Sequence, residues 1–267
     1  MQILKTRQKK GKNQPEPDKL MLKNIFIGTS GYSYPHWKQV FYPDGCRKGQ
    51  WLEYYAGRFN SVELNVTFYR LPKKDTFLSW YNRTPADFVF ILKGSRYITH
   101  IKKLEDCAQA LDLFFERSSP LKEKLRCILW QLPPSLKKNR SRLNDFLALL
   151  TGKAKKLDHC FEFRHSSWLS GDIFALLEKY KAGLCIPDSP DYPSSDKITS
   201  DFLYFRFHGS RYLYSSGYTD RELKKWVDKT LLWLDNIQTL YAFFNNDQKG
   251  FALKNALSFR DLLDERI

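Results

Sequence analysis

Two short stretches decide the fold: HCFEFR at 159–164 and FLYFRFH at 202–208. Side chains alternate across a β-strand, so one face of the first carries Phe161 and Phe163 and the other carries Cys160, Glu162 and Arg164. The second divides the same way, with Phe205 and Phe207 on one face and Tyr204, Arg206 and His208 on the other. The phenylalanines must bury against something apolar, and a surrounding layer of helices supplies it. The charged face then points to the inside of a closed sheet. A third stretch, SVELN at 61–65, repeats the pattern, with Val62 and Leu64 outward and Glu63 and Asn65 inward.

Eight strand candidates rich in aromatic and β-branched residues extend the pattern along the chain, among them 25–29, 61–65, 88–93, 126–131, 202–208 and 239–245. Residues 159–164 and 183–187 complete the eight. Between them lie amphipathic helical patterns at 105–117, 140–150, 171–180 and 220–235, the last behind a capping box from Thr219 to Glu222, and weaker ones at 50–58, 75–82 and 250–263. Residues 188–201 carry turn chemistry and no helical face. Eight strands alternating with helices predict an α/β fold, a closed (β/α)8 TIM-like barrel, with the helix between strands six and seven replaced by a loop. An open doubly wound sheet is the alternative. Its nucleotide-binding form is weakened because no GxGxxG follows the first strand.

The chain of 267 residues suits one large domain at 25–267, preceded by a basic tail at 1–24. That tail carries seven Lys and Arg against Glu16 and Asp18, a third of the formal net charge of +15. At 42% hydrophobic the chain is too apolar for disorder, and it has no apolar run long enough to span a membrane. The N-terminus lacks the apolar segment of a secretory signal. Five cysteines without a CxxC pair predict buried, reduced thiols and a cytoplasmic protein.

Candidate chemistry gathers at the C-terminal strand ends, where barrel enzymes keep their active sites. Glu63 and Glu162 are candidate paired carboxylates, one acid and one base. A separation of roughly 5–9 Å across an open cavity would suit glycosidase-like chemistry. Lys93 is either an amine nucleophile or a cation for an anionic substrate, and His208 a proton carrier. Arg164 and Arg206 are candidate bidentate clamps for phosphate or carboxylate, with Gln131, Asn65, Asn245, Asn246 and Tyr32 as further substrate contacts. Tyr212, Tyr214 and Tyr218 sit on loops suited to stacking, and 209–218 reads as a mobile lid. The bland counterpart is an ion-pair network that only fills the barrel, since a buried charge needs a partner in any case. The five histidines show no HxH or HExxH spacing, so no metal ligands are assigned and no cofactor is named.

These motifs resemble a known family. GTSGYSYPHW at 28–37, FYP at 41–43, SVELNVTFYRLP at 61–72, TH at 99–100, LWQLPPS at 129–135, FEFRHSSW at 161–168, FRFHG at 205–209, FFNND at 243–247 and NAL at 255–257 are collinear over about 25–260. They are similar to the YecE-like family, known as domain of unknown function 72. The resemblance implies a TIM-barrel-like fold and no established activity. Its recurrent motif positions match Glu63, Lys93, Gln131, Glu162, Arg164, Trp168, Arg206, His208, Asn245 and Asn246.

Three functional classes follow. The first is an enzyme of hydrolase or lyase type acting on a small anionic or carbohydrate-like ligand at the barrel mouth. The second is a nucleic-acid-binding protein using the basic surface and tail. The third is a non-catalytic ligand-binding barrel.

Overall fold

The computed structural model describes residues 24–267, so the basic tail lies outside the described residues apart from Asn24. All eight strands form: β1 (Asn24–Thr29), β2 (Ser61–Leu64), β3 (Val89–Lys93), β4 (Leu125–Gln131), β5 (Asp158–Glu162), β6 (Gly183–Asp188), β7 (Phe202–Phe207) and β8 (Thr239–Phe244). They pair in parallel in the order β1-β8-β7-β6-β5-β4-β3-β2. The helices of the shell are α1 (Trp51–Ala56), a single turn α2 (Val66–Tyr69), α3 (Lys74–Asn82), α4 (Ala108–Ser118), α5 (Arg140–Ala154), α6 (Gly171–Lys179), α7 (Asp220–Leu231) and α8 (Phe251–Asp264). The capping box expected at the start of α7 is present, with Thr219 and Glu222 each accepting the other's backbone N–H. Between β6 and β7 the chain runs without a helix.

Alternation sorts the apolar residues into two cores. Val62, Leu64, Phe161, Phe163, Phe205 and Phe207 pack outward with the helices, together with Trp37, Trp51, Trp80 and Trp168. The barrel interior holds a second cluster that includes Phe26, Ile91, Cys127, Leu129, Cys160, Cys185, Tyr204, Tyr241 and Phe243. Three of its members are cysteines, small enough to fit where the strands converge. All five thiols are free, and four of them are buried. No helix among the described residues is long and apolar enough to cross a membrane.

The barrel closes at β1 and β2 by unusual means. Only one backbone bridge joins them, at Ser30 and Glu63. Side chains take the place of the missing ladder. The Asn60 amide accepts from the Ile27 N–H (3.3 Å) and donates to the Ile25 carbonyl (2.6 Å). The Tyr55 hydroxyl accepts from the Thr29 N–H (2.9 Å) and donates to the Ser61 carbonyl (3.1 Å). Gly28 faces this seam, and a Cβ there would collide with the Ser61 carbonyl and the Tyr55 hydroxyl. The seam therefore satisfies backbone groups that a full β1–β2 ladder would otherwise pair.

Candidate functional site

Inward alternation on β2, β5 and β7 brings Glu63, Glu162 and Arg206 together in the upper barrel, all of them buried. Arg206 binds Glu63 in a fork, through Nε to Oε2 (2.9 Å) and Nη2 to Oε1 (2.7 Å). Its third nitrogen, Nη1, donates to Glu162 Oε2 (2.5 Å). Ser30 Oγ and Tyr204 Oη each donate to Glu63 at 2.7 Å. Burial pushes the Glu63 carboxyl up, but the Arg206 cation and these hydrogen bonds outweigh it and hold it below the usual carboxylate range.

This geometry alters two expected roles. Arg206 has all three nitrogens committed to carboxylates of its own barrel, so its clamp holds Glu63 and Glu162 and offers a substrate nothing. The two carboxylates flank one guanidinium, which fills the space where an acid/base pair would need substrate or water.

Glu162 is differently placed at its other oxygen. Oε1 forms a close ion pair with Arg164 Nη2 and lies 3.5 Å from His208 Nε2. Neither contact is aligned as a hydrogen bond, and Oε1 is a buried acceptor without one. Burial raises this carboxyl, while Arg164 and Arg206 pull it well below the usual range, so it is ionised at neutral pH. Arg164 Nε and Asn65 Oδ1 are also buried without hydrogen-bond partners.

Above this layer, Arg164 is covered by the ring of Tyr192, 3.2 Å from guanidinium carbon to ring centroid. Tyr192 also stands edge-on to His208 (5.4 Å), and its hydroxyl bonds that of Tyr214 (3.0 Å). His208 is fully buried, with Asn245 Nδ2 at 3.3 Å from Nδ1. Burial pulls its imidazole down to about 4, with Glu162 opposing and the two arginines assisting, so it is neutral at pH 7. Lys93 ends β3 with its amine 4.2 Å from the centroid of Phe68. Burial and the Arg206 cation lower the amine to about 7, against the pull of Glu162 and Glu63. His100 stands edge-on to the same Phe68 ring at 4.9 Å.

Other expected contacts fall elsewhere. Gln131, at the end of β4, donates Nε2 to the Leu132 carbonyl (3.0 Å). Asn246 is turned to the β7–α7 loop and α8, where it donates to the Ser216 carbonyl (3.0 Å) and Asn255 Oδ1 (2.9 Å). Tyr32 rests against Tyr55 (6.1 Å), and its phenol interacts with Trp80 and Arg83 rather than the charged cluster. Tyr218 is buried, its hydroxyl accepting from the Gly209 N–H (3.0 Å), so it anchors the loop and presents no stacking face. Tyr212 is exposed at 71%.

Sequence reasoning missed Tyr192. Its segment reads as turn chemistry, and the available signal was a lone aromatic in the connection that replaces a barrel helix. Tyr204 is placed inward by alternation without a role, and Ser30 only falls within a motif, because donation to a buried carboxylate depends on a partner far away in sequence. Among the described residues no group of three or more His, Cys, Asp and Glu is arranged to hold a metal. A hollow of about 800 Å³ opens between α4 and α5, beside Glu105 and Arg142 and away from the mouth.

Comparison with known proteins agrees with this architecture. A Thermotoga maritima DUF72 family protein of known crystal structure is 32% identical, with a TM-score of 0.80 over 90% of this chain and 99% of that one. The UPF0759 protein YunF of Bacillus subtilis is 24% identical over 275 residues, 90% of this chain and 95% of its own. The UPF0759 protein YecE of Escherichia coli K12 is 33% identical over 147 residues, 55% of this chain, and the match spans half the length of that protein. The family profile described as protein of unknown function DUF72 matches residues 26–267. With the profile matching nearly all of the described barrel, the chain belongs to the DUF72 family.

Proposed function

We propose that the protein is an enzyme acting on a small anionic, sugar-like substrate at the C-terminal mouth of the barrel, by acid/base chemistry of hydrolase or lyase type. The observation that supports this reading is the set of buried polar atoms at strand ends that make no hydrogen bond: Asn65 Oδ1, Arg164 Nε, and Glu162 Oε1, whose contact is the ion pair with Arg164. A buried polar group without a partner costs about 1–3 kcal/mol. An acceptor on Asn65 and a cationic donor on Arg164 that make no hydrogen bond match a ligand that carries hydroxyls and an anionic group. In this reading Glu162 is the base and Arg164 the anion anchor. Glu63 and Arg206 are positioning residues that hold Glu162 in place. The lyase form fits better than a paired-carboxylate hydrolysis, because Arg206 occupies the space between the carboxylates.

Calorimetric titration of the full chain with sugar phosphates, sugar acids and their neutral counterparts tests the reading. At least one anionic sugar is expected to bind, with affinity reduced about tenfold or more in Arg164→Gln, the loss of one charge-assisted contact. Equal binding of neutral and anionic sugars, or indifference to Arg164→Gln and Glu162→Gln, would refute it. RNA affinity that falls steeply with salt and ignores both substitutions would favour a nucleic-acid-binding role instead.

A further inference from the structure

We propose that Lys93 is an amine nucleophile that forms an imine with the carbonyl carbon of its substrate, which makes the substrate an anionic aldehyde or ketone such as an open-chain sugar phosphate or an oxo acid. The proposal rests on the reading of the barrel mouth given above and narrows its substrate class.

The argument begins with how the buried cations are partnered. Lys124, 4% exposed, is a structural lysine: its amine donates to the Tyr81 carbonyl (2.6 Å), the Thr84 carbonyl (2.8 Å) and Thr84 Oγ1 (3.1 Å). Arg206 and Arg164 take the two carboxylates of the barrel. Lys93 is 9% exposed, and among the described residues its amine forms no hydrogen bond and no ion pair. Its one close partner is the face of Phe68, a cation–π contact that supplies no hydrogen-bond acceptor. The backbone beneath is held firmly. The Lys93 carbonyl accepts from Thr67 Oγ1 (2.7 Å), and the β3–β4 register continues through Lys93 and Leu129. A rigidly mounted, unpaired amine at a barrel strand end suits a nucleophile better than a structural cation. Burial, with the Arg206 and Arg164 cations in electrostatic reach, lowers the amine to about 7, so a substantial share of it is unprotonated at neutral pH.

The chemistry balances without any further reagent. The neutral amine attacks the carbonyl carbon, a C–N bond forms, and the carbonyl oxygen takes up a proton. Nζ gives up both its protons, which balance the one already taken up by the oxygen and a second that it takes as the C–O bond breaks, and water leaves. Amine and carbonyl have become imine and water. Once protonated, the iminium draws the electron pair of a neighbouring C–C or C–H bond. The ionised Glu162, with Oε1 lacking an aligned donor, accepts the proton released in that step. Arg164 holds the anionic group.

Reductive trapping tests this. The full chain is incubated at pH 7.5 with pyruvate, and separately with glyceraldehyde 3-phosphate, each with sodium cyanoborohydride, and the adducts are mapped by peptide mass spectrometry. Lys93 is expected to be modified at least about tenfold faster than the exposed lysines, given its larger neutral fraction, and Lys93→Arg should lose that adduct. A second measurement needs no carbonyl substrate: competitive acetylation with acetic anhydride from pH 6 to 9. It should show Lys93 reaching half its maximal reactivity near neutrality. Lys93 labelled no faster than surface lysines in both measurements overturns the proposal. Should anionic sugars still bind in calorimetry in that case, the reading of the mouth as an anion site survives; with neither labelling nor binding, both fail.

Discussion

Replacing Lys93 with methionine should make the protein more stable, by an amount that depends on pH. Burial and the Arg206 cation lower the amine from 10.5 to about 7 in the folded protein. Between those two values the unfolded chain binds more protons than the folded one, so the stability of the wild type rises with pH across that window. The penalty of burying the charge is full below about 7 and disappears above 10.5. At ~1.4 kcal/mol per pH unit, that penalty is about 4 kcal/mol at pH 7 and about 2 kcal/mol at pH 9. Methionine has similar length and no charge, and it keeps the contact with Phe68. Urea unfolding of wild type and Lys93→Met at pH 7, 8 and 9 compares the two directly, because every other titrating group is common to both. The variant should be the more stable at pH 7, with its advantage shrinking by about 2 kcal/mol by pH 9. An advantage that stays constant with pH, or a variant less stable at pH 7, would show that the amine is not desolvated and remove the physical basis for its nucleophilic role.

Arg206→Met should destabilise the barrel by about 3–5 kcal/mol in urea unfolding, since it strands two buried carboxylates without their shared cation; a change below about 1 kcal/mol would contradict the geometry of the cluster. Glu63 and Glu162 are both held below the ordinary carboxylate value of 4.5, so their contribution is present above that pH and is lost as pH falls through their lower folded values. Acid unfolding followed by circular dichroism should therefore begin at higher pH in Arg206→Met than in the wild type. Tyr55→Phe removes the hydroxyl that links Thr29 and Ser61 across the β1–β2 seam. It should cost about 1–3 kcal/mol and speed hydrogen exchange at the Thr29 amide, and unchanged exchange there would mean the seam does not depend on this bridge.

The barrel itself was legible because it is written in local periodicity. Alternating FEF and FRF segments can only be strands buried on both faces, and eight of them between amphipathic helices leave few architectures. The loss of the helix between β6 and β7 was legible too, since DSPDYPSSDKITSD offers turn residues and no apolar face. The same alternation placed Glu63, Glu162, Arg164, Arg206 and His208 on the inner face, and Lys93 followed from its place at a strand end.

Which of those groups pairs with which was decided only by the tertiary structure. Strand order and stagger bring Arg206 of β7 between Glu63 of β2 and Glu162 of β5, and this turns one expected carboxylate of a catalytic pair into a saturated anchor. Asn246 and Tyr218 were placed near the mouth by their neighbours in sequence, yet they bond to α8 and to the Gly209 backbone because the loop after β7 folds back over them. Tyr192 reaches Arg164 from a segment whose sequence shows only turns. Strand periodicity follows from the stereochemistry of each residue and can be read along the chain. The partner of a buried charge can lie far away in sequence, as with Arg206 and Glu63, 143 positions apart, and such a pair comes into being only when the barrel closes.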